Sequence, residues 1–128
     1  MLRQIATLFI LAIFVVAGIN KINGFDGTVK GFRGILPKSL QKLPLLLFQI
    51  IIVVVILIEI VCPLLVVYMD YNSNTQLPSD IRNCCLYALI GFTALATILY
   101  HNPMDKSQMN NFLKNLAIIG GLFLLKSL

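Results

Sequence analysis

The sequence predicts an all-α integral membrane protein, a four-helix bundle with an interfacial amphipathic segment after the first helix. Three observations carry that reading. Mean hydropathy is +0.92, with 59% hydrophobic and only 12% charged residues, whereas a soluble domain needs roughly a quarter of its residues charged to cover its surface. The apolar residues gather into four segments, each near the roughly 17–25 residues that cross about 30 Å of hydrocarbon. The connections between them are polar. A chain of 128 residues fits one domain built from these segments.

The first segment covers about residues 2–20, "LRQIATLFILAIFVVAGIN". Arg3 ahead of an apolar core is also the pattern of a cleaved signal peptide, but the segment is read here as a retained span. The second, about 45–69, and the third, about 84–100, are long and apolar. The fourth, about 112–126, is the most polar of the set. Four crossings place both chain ends on one side.

The connection "NKINGFDGTVKGFRGILPKSLQKLP" is patterned. Phe25, Val29, Phe32, Leu36 and Leu40 recur at spacings of three and four, with Lys30, Arg33 and Lys38 between them, as an interfacial amphipathic helix requires. The second connection, "DYNSNTQLPSD", ends in Ser79 or Asp80, either of which suits a helix cap. The third, "HNPMDKSQMNN", is a polar turn. One side carries Arg3, Arg82 and Lys126, and the other carries Lys21, Lys30, Arg33, Lys38, Lys42, Lys106 and Lys114. The first and third connections are therefore expected on the cytoplasmic or equivalent positive side.

Charge and ligand counts exclude several functions. The net charge of +5 is scattered over connections without interleaved aromatics, which argues for anionic lipid headgroups and against nucleic acid. A single His excludes bis-His haem ligation, and too few ligands remain for a metal site. Cys62, Cys84 and Cys85 form neither a C-x-x-C pair nor an even framework.

Glu59, in "LIEIVCP", is the acid that stands inside an apolar run. A bare carboxylate at that depth costs at least about 2.5 kcal/mol on insertion scales, so it must be paired, protonated or turned inward. Antiparallel packing of the first two helices makes Arg3 the expected partner, because a guanidinium grips both oxygens. Pro63 removes the amide that would bond the Glu59 carbonyl and is expected to kink the helix. Lys21, His101, Lys114 and Asn115 gather toward the opposite leaflet as candidate contacts for a lipid or quinone headgroup. Gly18, Gly120 and Gly121 are expected to allow close helix approach.

In order along the chain, "LRQIATLFILAIFVVAGINK", "LIEIVCP", "LYHNP" and "FLKNLAIIGGLFLL" resemble the DoxX-like family of four-helix membrane proteins, which includes the small subunit of thiosulfate:quinone oxidoreductase. Arg3, Gly18, Lys21, Glu59, His101, Asn115 and Gly120 stand where that family's recurring residues stand. One His, one intramembrane acid, no nucleotide loop, no metal set and little extramembrane mass point to a small accessory subunit of a larger membrane complex of the respiratory-chain kind, without catalytic activity of its own. Alternatives are a quinone-linked oxidoreductase subunit using Glu59, and a membrane cargo receptor or chaperone. Bound phospholipid is expected, a bound quinone is the alternative occupant, and the partners are the bilayer and other membrane subunits. The Ile-, Asn- and Lys-rich composition suggests an AT-biased genome, which fits a mitochondrial inner membrane as well as a bacterial plasma membrane; the former is the expected location.

Overall fold

A computed structural model describes residues 2–72, 76–100 and 104–128. Among them the chain is helical, with no strand. Three helices are long and apolar enough to cross a membrane: α1 (Leu2–Asn23), α4 (Leu45–Tyr71) and α5 (Ser79–Tyr100). Between α1 and α4 lie α2 (Phe25–Ile35) and a single turn, α3 (Lys38–Gln41). A 3-10 turn (Lys106–Gln108) leads into α6 (Met109–Ser127).

The long helices pack as a closed circuit: α1 on α4, α4 on α5, α5 on α6, and α6 back on α1. Leu11 and Phe14 of α1, Val66 of α4, Cys85, Leu86 and Leu89 of α5, and Leu122 and Leu125 of α6 form one buried cluster. The outward faces remain apolar, as at Phe9, Leu64, Ile98 and Leu124. Lipid covers such faces, so helix association rests on close packing and polar contacts and not on removal of apolar surface from water.

Sequence punctuation explains the connections. Gly24 separates α1 from α2 by one residue, and α2 begins at once, its Thr28 hydroxyl donating to the Gly24 carbonyl at 2.9 Å. Pro37 and Pro44 occupy the positions before α3 and α4, where a missing amide hydrogen and a fixed φ suit a helix start. The α2 helix lies on the first half of α4: Val29 is buried with Phe48, Ile52 and Ile56. Phe32 meets Phe48 edge to face at 6.0 Å, and the Arg33 guanidinium stands 5.8 Å from the Phe48 ring centre. Arg33 also donates through Nε to the Gln41 carbonyl at 2.9 Å, which ties the short connection down.

All four long helices run past the bounds that hydropathy suggests, α1 to Asn23 and α6 from Met109 to Ser127. The α4 helix continues through Met69 to Tyr71, and α5 starts at Ser79, so Asp70 and Arg82 lie within helices. Helix α4 runs through Pro63, which is buried. The Glu59 carbonyl lacks its usual donor there, because proline has no amide hydrogen.

Candidate functional site

The α1 and α4 helices run antiparallel, and their register decides which charges meet. Gly18 faces Ile60 so closely that an added Cβ would stand 2.6 Å from Ile60 Cγ1 and 3.4 Å from Glu59 Cβ. With the helices in contact at that level, the Lys21 side chain one turn on meets Glu59: Nζ donates to Oε1 at 2.9 Å and to Oε2 at 3.0 Å. Glu59 is 2% exposed. The expected Arg3–Glu59 pair does not form.

Arg3 pairs instead with Asp70, at 2.7 Å from Nη2 to Oδ1. Asp70 stands eleven residues beyond Glu59, about 16 Å along the axis at 1.5 Å per residue. Arg3 and Glu59 therefore sit in different thirds of the same helix pair. Lys21, expected to reach out to a headgroup, turns inward.

Asp70 is the centre of a second polar cluster. Its side chain is fully buried and accepts from Arg3 Nε at 2.9 Å, from the Thr7 hydroxyl, and from Arg82 Nε at 2.8 Å. Arg82 Nη2 also donates to the Leu125 carbonyl at 3.0 Å, which the Leu128 amide reaches less closely, at 3.3 Å. One carboxylate thus joins α1, α4 and α5, and through Arg82 reaches the end of α6. By hydropathy alone Asp70 opens the second connection, but it lies within α4. The signal was present as the spacing Glu59, Pro63, Val66, Asp70, which is one face of a helix, and as Arg3 and Thr7 four apart on α1.

Around the Lys21–Glu59 pair and toward the end of the molecule that carries α2, the helices leave a cavity of about 540 Å³. Its walls come from α1 (Phe14, Ala17), α2 (Thr28, Phe32), α4 (Ile52, Val55), α5 (Phe92, Ala96) and α6 (Ile118). Lys21, Glu59, Lys114 and Asn115 also line it. The two buried threonines of α5 are spoken for, because Thr93 donates to the Leu89 carbonyl at 2.7 Å and Thr97 to the Thr93 carbonyl at 2.6 Å. What faces the space is mostly hydrocarbon, with the ion pair, an ammonium and an amide at its polar edge. Such a volume and lining are those of a small-molecule site, which commonly spans about 300–1,000 Å³.

The remaining candidates divide. Gly18 and Gly121 lie at helix contacts, Gly121 with Ile10 Cδ1 at 3.3 Å from an added Cβ. Gly120 faces open space among the described residues, one residue round the helix from that contact. His101 lies outside the described residues. Cys62, Cys84 and Cys85 are free thiols. No group of three or more metal-binding side chains occurs among the described residues.

Fold and site together define an integral membrane protein of packed apolar helices, pinned by buried ion pairs and hollow toward one end. A sequence model of the DoxX family matches residues 3–68, just over half of the chain, and the chain belongs to that family. The match takes in Arg3, Gly18, Lys21, Glu59 and Pro63, and ends two residues before Asp70. No curated protein and no solved structure matches the chain.

Proposed function

We propose that the chain is a membrane-embedded accessory subunit whose helices hold one membrane-soluble molecule with a polar end in the 540 Å³ cavity. In this reading α6 is a fourth span, since its 19 residues reach about 28 Å, and α2 lies along the bilayer surface and roofs the cavity. In this reading the setting is a respiratory chain, with a mitochondrial inner membrane as the favoured location. Quinone and lipid are the two classes of occupant.

The cavity is the observation that carries this reading. Hydrocarbon walls select a membrane-soluble body. At the polar edge Lys21, Lys114 and Asn115 offer N–H donors, which suit an occupant whose polar end carries oxygen acceptors. The chain supplies the binding place and leaves electron transfer to partner subunits.

The test is extraction of the protein, purified in mild detergent, with organic solvent and identification of what it carries. One bound molecule per chain is expected, and Ala96→Trp, which pushes an indole into the cavity from α5, should remove it while the protein stays folded. Equal recovery from both proteins overturns the reading. The subunit role is tested separately, by whether the chain migrates with other membrane proteins in the same detergent; migration alone contradicts it.

A further inference from the structure

We infer that the molecule held in the cavity is an amphiphile with an anionic head, and that Lys114 is its counter-ion. This rests on the cavity being a binding place, and it decides between the two classes of occupant.

The argument is a charge balance. Lys21 and Glu59 cancel, with both carboxylate oxygens bonded to one ammonium. Lys114 lines the same space, and among the described residues no carboxylate lies within ion-pair distance of it. The cavity therefore carries one positive charge more than it neutralises. An anion brought in with the ligand would pair with that charge at the mouth of the cavity, in a charge-assisted hydrogen bond that strengthens as far as the ligand excludes water.

The wider field has the same sign. The end of the molecule that holds the cavity carries seven Lys and Arg against Asp26, Glu59 and Asp105, whereas the other end has three against Asp70 and Asp80. A positive cleft concentrates anions. Lys114 is exposed while lining the cavity, so it stands where the space opens, with Asn115 beside it as a second donor. A carboxylate or phosphate placed there would have its chain in the space lined by Phe14, Val55 and Phe92. A neutral quinone ring would leave the extra charge uncompensated.

Oleate and oleyl alcohol share a chain and differ in the charge of the head, so they isolate the claim. Delipidated protein, reconstituted in detergent, is titrated with each and with a decyl-substituted benzoquinone, and occupancy is read by native mass spectrometry. Oleate should bind about tenfold or more tightly than oleyl alcohol, as one charge-assisted contact allows. Lys114→Gln should bring oleate to the level of the alcohol, and Lys114→Arg should retain the preference. Equal binding of oleate and the alcohol, or oleate binding unchanged by Lys114→Gln, overturns the anionic assignment. Binding of the benzoquinone without oleate overturns it too, and leaves the cavity reading standing. Failure of all three to bind sinks the cavity reading itself.

Discussion

Asp70 shows how a single side chain can organise four helices. It is fully buried and takes hydrogen bonds from two arginines and a threonine, so removing its charge strands Arg82, which is itself 5% exposed. Breaking a buried pair from one side costs about 3–5 kcal/mol. Asp70→Asn should therefore lower the thermal stability of the detergent-solubilised protein far more than Asp80→Asn, a substitution at an exposed position in the first turn of α5. Similar melting temperatures for the two would contradict that role. Glycines divide in the same way. Gly18→Val drives a side chain into Ile60 and should cost about 1–3 kcal/mol, whereas Gly120→Ala meets open space and should leave stability unchanged or slightly raised by helix propensity. Chemical denaturation of the two variants beside the parent measures both effects.

Elements were legible to the degree that hydropathy alone defines them. The apolar cores of α1, α4 and α5 stand out in the sequence, and Phe25, Val29 and Phe32 lie at helical spacing in the first connection. Helix ends were harder to read. The polar tail of α4 reads as loop until Arg3 and Arg82 are seen to neutralise Asp70, because an acid in a last helical turn is unfavourable alone and stable once paired. Register was the hardest of all. Hydropathy says that α1 and α4 are antiparallel neighbours but does not say where they touch, and Gly18 against Ile60 moves the partner of Glu59 from Arg3 to Lys21. The start of α6 depends on a smaller device. Asp105 accepts from the Ser107 hydroxyl at 2.8 Å and from its amide at 3.0 Å. These bonds, the hydroxyl's first, hold its carboxyl below the usual carboxylate range. A group lowered on folding favours the folded turn above its unfolded pKa and loses that contribution as pH falls through the folded value. NMR titration of Asp105 should give a midpoint below about 3.9, and Ser107→Ala should raise it. A midpoint at or above the ordinary value would contradict the bonded turn.

Across the whole molecule the two ends have different construction. One is braced by the Asp70 cluster and filled by Leu86, Leu89, Leu122 and Leu125. The other is hollow, with α2 lying on α4 through Val29 and Phe48. The Lys21–Glu59 pair stands at the boundary, where it fixes the register of α1 on α4 and supplies part of the polar edge of the cavity. A double-mutant cycle on Lys21→Met and Glu59→Met, read by thermal stability in detergent, tests that arrangement most directly. Each single substitution should be destabilising, Lys21→Met the more so because it leaves the buried Glu59 unpaired while Lys21 is partly exposed, and the double variant should recover much of the loss. The matching cycle on Arg3→Met and Glu59→Met should be additive. Additivity between Lys21 and Glu59, together with coupling between Arg3 and Glu59, would contradict the register and with it the placement of the cavity.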